Sequence, residues 1–121
     1  PSTHPLAQES VFPMQALNES PFMLLEKGEN EVISAIFDEH NIQPMVHFKT
    51  WDDYAIMSMV ENELGISILP ELILKRIPYD VVVKELEMPA YRSIYIGMKE
   101  HKSLSIAAKQ FLTYLQYRHG E

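Results

Sequence analysis

Residues 50–71 read Thr-Trp-Asp-Asp-Tyr-Ala-Ile-Met-Ser-Met-Val-Glu-Asn-Glu-Leu-Gly-Ile-Ser-Ile-Leu-Pro-Glu, and this stretch decides the fold class. Four of its apolar residues recur at spacings of three and four, which predicts one apolar face of a helix. These residues are Ile56, Met59, Val60 and Leu64. Thr50 and Asp53 have the spacing of a capping box at the start of that helix. Gly65 fits the left-handed residue that commonly ends a helix.

A short apolar run, Ile66–Leu69, follows the glycine, and Pro70 ends it. A helix joined to a buried strand by one glycine is typical of α/β proteins. Sheets of that class place ligand sites at the carboxyl ends of their strands. The stretch therefore predicts both a fold class and the edge of the sheet where a site is expected.

The rest of the chain alternates predicted strands and helices. Apolar or alternating runs predict strands at Phe22–Leu25, Met45–Phe48, Val81–Val83 and 92–98. Periodic apolar faces predict helices at 31–40, 53–64, 72–77 and 103–119. The order β-α-β-α-β-(α)-β-β-α favours a mostly parallel sheet with helices on both faces. We expect the first three of those strands and Ile66–Leu69 to share one sheet.

Composition limits the possible functions. The chain has 121 residues, 46% hydrophobic and 22% charged, which suits one compact domain or two small lobes. Its formal charge of −7 argues against direct binding to nucleic acid, which needs clustered Lys and Arg. No cysteine is available for disulfides, and no apolar run reaches the roughly 20 residues that span a bilayer. Because the sequence starts at Pro1, we expect it to be part of a longer protein.

No catalytic or metal constellation is evident. The five histidines show none of the spacings of a metal site, and the serines include no Gly-x-Ser-x-Gly elbow. We therefore expect no metal, no cofactor and no catalytic residue. The acidic pairs are better explained as solvated surface residues near helix starts than as a pair of catalytic carboxylates like that of a glycosidase.

Trp51 is the most informative of the candidate ligand-binding residues. It is the only tryptophan, and it lies between a predicted strand and a helix start, next to Thr50 and Asp52. Free backbone donors at a helix start can receive a carboxylate or similar anion. The alternative is that Trp51 simply packs against Phe48 or Tyr54.

Several passages together resemble one family. The run Met59-Val60-x-x-x-Leu64-Gly65-Ile66-x-Ile68-Leu69-Pro70 resembles the "lVaaGlGialLP" passage of LysR-type transcriptional regulators. His4-Pro5-Leu6-Ala7 is similar to the "HPLA" that opens the second lobe of their effector domain, and Pro21–Leu24 to their "epfi" strand. The closing strand and helix match residues 92–96 and 104–112. The resemblance is collinear over nearly the whole chain, although Glu63 replaces a common glycine.

The resemblance implies a type-2 periplasmic-binding-protein-like lobe. Residues 1–100 would be the second lobe with its leading segment, and residues 101–121 a helix that returns to a first lobe otherwise absent here. Family members bind a small effector between the lobes, dimerise and regulate transcription through an N-terminal winged helix-turn-helix. By position, Thr50, Trp51 and Asp52 would line the cleft, with Leu69 and Pro70 at the neighbouring corner. Trp51 is unusually bulky for that position.

These expectations together predict a cytoplasmic, effector-sensing fragment of a transcriptional regulator, not an enzyme. The effector would be a small molecule, for which a carboxylate is one option, and DNA would bind only through the missing N-terminal domain. A type-2 solute-binding protein for transport is the first alternative, which an upstream signal sequence would favour. An enzyme on the same fold is the second, since a missing lobe could hold catalytic residues.

The predicted last helix carries an apolar stripe, which in the resembling family packs on the first lobe. The stripe consists of Leu104, Ala107, Ala108, Phe111, Leu112 and Leu115. Left uncovered, it exceeds what a soluble monomer normally exposes, so it folds back, pairs with a second copy or frays. We expect pairing, because a symmetric partner offers an equally apolar surface.

Light scattering of the chain should accordingly show a homodimer or a larger species. Phe111→Glu should reduce it to a monomer, because a charge in the middle of the stripe opposes its burial. A monodisperse monomer whose last helix is ordered against its own sheet would contradict this expectation.

Overall fold

The computed structural model describes residues 1–26, 30–91 and 93–116. Its strands are β1 (Val11–Phe12), β2 (Pro21–Leu25), β3 (Met45–Thr50) and β4 (Glu85–Leu86). Its α-helices are α1 (Asn30–His40), α2 (Asp53–Glu61), α3 (Glu71–Leu74) and α4 (Ile106–Gln116). Short 3-10 helices occupy Met14–Asn18 and His101–Ser103.

Strand β2 is the centre of the fold because its side chains alternate between two buried clusters. Phe22 packs with Ile33 and Phe37 of α1, and the rings of Phe22 and Phe37 meet edge to face at 5.4 Å. Met23 and Leu25, on the other face of the strand, pack with Ile56 of α2. Helices therefore cover both faces of β2. Successive side chains of a strand point to opposite faces, so a strand that is apolar throughout is expected to be covered on both sides.

The parallel sheet around β2 is smaller than expected. β3 pairs with β2 in parallel over its whole length, with a register shift between Phe22 and Met23. On the other side, Ile66 alone forms a parallel bridge to Phe22, so the predicted strand Ile66–Leu69 is reduced to one bridged residue. That bridge is made by the Met23 N–H to Ile66 carbonyl bond and the Ile66 N–H to Pro21 carbonyl bond, both 2.9 Å.

The prediction that Val81–Val83 joins this sheet is wrong. These residues form no strand, and the pairing shifts to Glu85–Leu86, which lies parallel to Val11–Phe12 in a separate two-stranded sheet. β-branched residues suit a pleated strand, but a strand forms only where a neighbour can exchange backbone bonds. The neighbour here is the short β1, which meets the chain two residues further on.

The start of α2 also differs from the sequence expectation. Thr50 and Asp53 do not form a capping box, because Thr50 is the last residue of β3. The N-cap is Asp52, whose carboxylate accepts the N–H groups of Tyr54 and Ala55. A strand that runs directly into the corner leaves Asp52 as the first residue whose side chain can reach back to the free donors.

The end of α2 corrects the role given to Gly65. The helix ends at Glu61, not at residue 64, and Glu63 is the left-handed residue with φ 63°. The Glu63 N–H bonds the Val60 carbonyl and the Leu64 N–H bonds the Met59 carbonyl, each at 3.0 Å. This is the Schellman pattern, with glutamate where glycine is preferred.

Gly65 is needed for a different reason. Its φ is 149°, and a Cβ there would collide with the carbonyl oxygen of Pro21 and lie 3.0 Å from Cε of Met23. The absence of a side chain lets residue 66 approach β2 closely enough to form its bridge. Gly65 therefore allows the segment that follows it to lie against β2.

The leading segment is anchored by His4. Its Nδ1 accepts the Leu6 N–H at 3.1 Å, and its ring lies 5.9 Å from that of Phe12. Burial, with a smaller contribution from the positively charged N-terminus, lowers the pKa of His4 below its usual value of 6.5. The imidazole is therefore mainly neutral at pH 7, which suits an acceptor nitrogen.

Most residues in the last quarter of the described chain are exposed to solvent. Residues 93–98 do not form the predicted strand, while Arg92 lies outside the described residues. α4 begins after Ser105, whose hydroxyl caps the helix by accepting the Ala108 N–H at 3.2 Å. Phe111 of the apolar stripe is 58% exposed. The predicted extension of this helix to residue 119 and its end at Gly120 lie outside the described residues.

Gly65→Ala should lower the free energy of unfolding by about 2–4 kcal/mol, because the strained φ and the collision with Pro21 both oppose the native backbone. Gly97→Ala is the matched control, since a Cβ there meets nothing within 4 Å. Chemical denaturation measures both variants. Equal stability of the two would show that the close approach at residue 65 is not required.

Glu63→Gly should raise the free energy of unfolding by about 0.5–1 kcal/mol, because glycine removes the cost of the left-handed conformation. The substitution also removes the bond from the Thr3 hydroxyl to Glu63, 2.9 Å long but exposed and hence of small value. Glu63→Ala loses that same bond yet keeps a Cβ, so it should not be stabilised. A thermal melt in which both variants lose stability would contradict this assignment.

Candidate functional site

Three neighbouring segments end at the same edge of the sheet. β2 lies in the middle, with β3 on one side and the segment that starts at Ile66 on the other, all parallel. Leu25 pairs with Thr50, and the Glu26 N–H continues the ladder to the Thr50 carbonyl at 2.8 Å. Two strand spacings separate the outer segments, on the order of 10 Å. This edge is where a parallel sheet places its ligand.

The corner between β3 and α2, residues 50–52, forms one hydrogen-bonded turn. The Thr50 hydroxyl accepts the Asp52 N–H at 3.3 Å. Trp51 projects from this turn and is 71% exposed. None of the ring pairs among the described residues involves Trp51, so no ring stacking of Trp51 on Phe48 or Tyr54 is seen there. The turn therefore presents a large aromatic surface at the edge.

Tyr54, three residues after Trp51 in the sequence, is a second exposed aromatic residue. It belongs to the first turn of α2, is 58% exposed, and its ring lies 6.4 Å from that of Tyr79 at 47°. Sequence reasoning did not assign these tyrosines to the site. The signal available was the position of Tyr54 directly after the acidic pair at the helix start, whereas Tyr79 is brought close only by the fold.

The backbone donors at the start of α2 are engaged. Asp52 Oδ1 accepts the Tyr54 N–H at 2.9 Å and the Ala55 N–H at 3.4 Å. The Ile56 N–H bonds the Asp52 carbonyl at 3.2 Å. The carboxylate of Asp52 thus occupies the position where we expected the carboxylate of a ligand to bind. An anion at this corner would need to displace Asp52 or bind elsewhere.

Leu69 and Pro70 lie on the opposite side of β2 from the corner. Leu69 packs against the buried cluster of Met23, Leu25 and Ile56, and both residues line an open apolar groove of about 680 Å³. Thr50, Trp51 and Asp52 do not line that groove. The structure therefore brings residues 50–52 together, and places Leu69 and Pro70 at the same edge but not in one pocket with them.

The groove is mostly apolar, and its polar lining residues include His4, Glu71, Lys84 and Glu85. Ser67, one of its few polar residues, donates its hydroxyl hydrogen to the Met23 carbonyl at 2.7 Å. Across the described ranges, no three of His, Asp and Glu are grouped as a metal site would need. The corner of residues 50–54, with its exposed Trp51 and Tyr54 side chains, is a separate candidate surface at the same edge.

Asp52→Ala should lower the free energy of unfolding by about 1 kcal/mol, because two donors of α2 lose their acceptor. Asp52→Asn should be nearly neutral, since an asparagine oxygen caps a helix as well as a carboxylate does. Denaturant titration of both variants checks this. If Asn were as damaging as Ala, the charge of Asp52 rather than its capping bonds would be what matters for stability.

Comparison with known proteins identifies the family. The profile of the LysR substrate binding domain matches residues 1–119. The chain is 27% identical over 111 residues to the uncharacterized HTH-type transcriptional regulator YvbU of Bacillus subtilis (strain 168), covering 90% of this chain and 38% of that protein. It is 34% identical over 74 residues to YybE of the same organism, covering 60% of this chain and 25% of that protein. The chain thus spans less than two fifths of these relatives.

Solved structures show the same fold. The effector binding domain of QuiR, in complex with shikimate, is 30% identical with a TM-score of 0.78, covering 96% of this chain and 57% of that one. The CcmR regulatory domain of Synechocystis PCC6803, in complex with 2-PG, is 25% identical with a TM-score of 0.73 and coverages of 96% and 58%. HinK, a LysR family transcriptional regulator from Pseudomonas aeruginosa, is 20% identical with a TM-score of 0.77 and coverages of 98% and 42%.

These similarities confirm the predicted fold class, a lobe of the type-2 periplasmic-binding-protein-like fold. They also confirm the resemblance on which the functional expectation depends, because the family profile covers almost the whole chain. The chain belongs to the LysR substrate-binding domain family.

Proposed function

We propose that this chain is the effector-sensing part of a transcriptional regulator, and that its corner of residues 50–54 contacts a small molecule. In this proposal, ligand binding changes how an N-terminal winged helix-turn-helix of the longer protein engages DNA. The observation that carries it is the match of the LysR substrate binding domain to residues 1–119. Curated relatives matched by the chain are named as HTH-type transcriptional regulators, which favours a regulator over a transport protein.

Effector binding is supported by two structural relatives. The QuiR effector domain was solved with shikimate and the CcmR regulatory domain with 2-PG. The present chain offers an exposed tryptophan and tyrosine at the carboxyl edge of its sheet, where such a molecule would contact them. Sensing rather than catalysis is the role proposed for this edge, because its polar groups are engaged in capping α2.

The proposed domain organisation follows from the similarity to these effector domains. Residues 1–100 would form the second lobe, and residues 101–121 would return to a first lobe carried elsewhere in the longer protein. Coverage of 57% and 58% of two solved effector domains supports this division. The same proposal gives the effector a site completed by a second lobe opposite the corner.

The proposed assembly is a homodimer or larger homo-oligomer in the cytoplasm. The half-exposed Phe111 and the 88% exposed Ile106 of α4 support pairing, because apolar side chains of this size favour burial. Along the described ranges, no helix has the length and apolar character required to cross a membrane. DNA contacts would come from the helix-turn-helix, consistent with the charge of −7 on this chain.

The functional test is a thermal-shift screen of the protein that carries this chain, with shikimate as the first compound of a small-metabolite panel. A compound at 100 times its Kd should stabilise the protein by about 2.7 kcal/mol. Trp51→Ala should weaken that compound by about tenfold or more, because buried aromatic contacts dominate small interfaces. DNA affinity, measured by fluorescence anisotropy, should change with the same compound.

Tyr114→Ala is the matched control, since Tyr114 is 67% exposed but lies on α4. The affinity of the Tyr114→Ala variant for the compound should equal that of the parent protein. A compound whose binding is unchanged by Trp51→Ala would move the site away from the corner. A compound that binds without altering DNA affinity would argue against the regulatory role.

A further inference from the structure

We propose that the apolar groove lined by α1 and by the segments 66–72 and 81–86 is a second ligand site. Its occupant is a small amphipathic carboxylate, of the type of a medium-chain fatty acid. The apolar tail lies along the groove and the carboxylate binds Lys84. This site is separate from the proposed function, because none of the residues 50–54 lines the groove.

The groove has the size and depth of a small-molecule site. Its volume of about 680 Å³ falls within the range of roughly 300–1,000 Å³ that is usual for ligand pockets. Its lining reaches side chains that solvent hardly touches: Leu17 is 2%, Met57 1% and Ile33 5% exposed. A slender molecule reaches such a floor more easily than the surface of a folded partner does.

Apolar side chains along the groove leave surface that a tail would cover. Val32 of α1 is 37% exposed, while Val82 and Val83 are 39% and 50% exposed. The two latter valines belong to the stretch that forms no strand, so no neighbouring strand covers them. Burying one methylene group of a ligand against such a surface should raise its affinity about fourfold.

Lys84 gives the groove a charge that calls for an anion. Its side chain lines the groove and is half-buried. The salt bridges found within the described part of the chain are made by Lys49 and Lys75, not by Lys84. A half-buried ammonium group gains most from a partner of opposite charge, and a carboxylate gives it a charge-assisted hydrogen bond. The charge of Lys84 therefore selects an anionic end for an otherwise apolar ligand.

The other polar lining residues do not take the place of that carboxylate. Glu71 lies 3.5 Å from Lys75, which offsets its charge, and Glu85 is exposed where Lys84 is half-buried. His4 accepts a backbone N–H through Nδ1 at 3.1 Å. Its neutral imidazole therefore carries the hydrogen on Nε2, which makes it a donor. The lining thus adds a donor to Lys84 and leaves the anion to be supplied by the ligand.

The experiment compares three probes with the same eight-carbon tail: octanoate, 1-octanol and octyltrimethylammonium. Each is titrated calorimetrically into the protein that carries this chain, at fixed ionic strength. Octanoate should bind at least fivefold more tightly than 1-octanol, and octyltrimethylammonium should bind most weakly. Hexanoate should bind about 15-fold more weakly than octanoate, because it lacks two methylene groups.

Lys84→Gln removes the charge but keeps a long polar side chain. The affinity for octanoate should fall to within about twofold of that for 1-octanol, while the affinity for 1-octanol should not change. A general loss of structure would weaken both probes, so this split identifies the charge. Lys99→Gln is the matched control, because Lys99 is exposed and does not line the groove. Both affinities should remain those of the parent in that variant.

Val82→Trp tests the position of the tail. The indole should occupy part of the groove and weaken octanoate and 1-octanol alike, by at least fivefold. Since Val82 is 39% exposed, the larger side chain has room at the surface, and the circular dichroism of the variant should match that of the parent.

The proposal is overturned if 1-octanol binds as tightly as octanoate, if the preference for octanoate survives Lys84→Gln, or if no probe of the series binds. Binding that appears only in Phe111→Glu, the variant expected to be monomeric, would assign the groove to a second copy of the chain and also overturn it. The proposed function is judged separately, by whether an effector's affinity responds to Trp51→Ala. Failure of either proposal therefore leaves the other standing.

Discussion

The backbone bridge between Ile66 and β2 is the contact on which the rest of this structure depends. Its two bonds, to Pro21 and Met23, are each 2.9 Å long and exist because Gly65 lacks a side chain. They bring a segment distant in sequence alongside β2 and place Leu69 against the cluster that also holds Ile56. Without this bridge the sheet would consist of β2 and β3 alone, and a two-stranded sheet has little independent stability.

The bridge also connects the fold to its proposed function. Because the three segments are parallel, they all end at one edge, and the turn of residues 50–52 projects Trp51 there. Asp52 then serves two purposes with one carboxylate: it caps α2, and it gives the corner a negative charge. A change at this residue therefore separates into a structural effect, which asparagine can supply, and an electrostatic effect, which it cannot.

Sequence patterns predicted the elements that depend on local periodicity and missed those that depend on distant partners. The apolar run of β2 and the faces of α1 and α2 were visible because burial imposes its period on the sequence. Val81–Val83 was predicted as a strand but forms none, because pairing requires a partner that the sequence does not specify. The capping and end of α2 were misassigned because Asp52 and Glu63 took the roles that the sequence pattern gave to Thr50 and Gly65, although glycine is the residue type preferred at a helix end.

The candidate site, which stays a prediction, combines a local feature and a distant one. The position of Trp51 between a strand and a helix start identified the corner, whereas the Tyr54–Tyr79 contact depends on how the chain folds after Pro78.

The most direct measurement of the central claim is mapping of amide chemical shifts as an effector is added to the protein that carries this chain. The largest shifts should fall on Trp51, Asp52 and Tyr54, with smaller ones near Leu69. Shifts confined to α4 or to the groove beyond Leu69 would contradict the assignment of the corner.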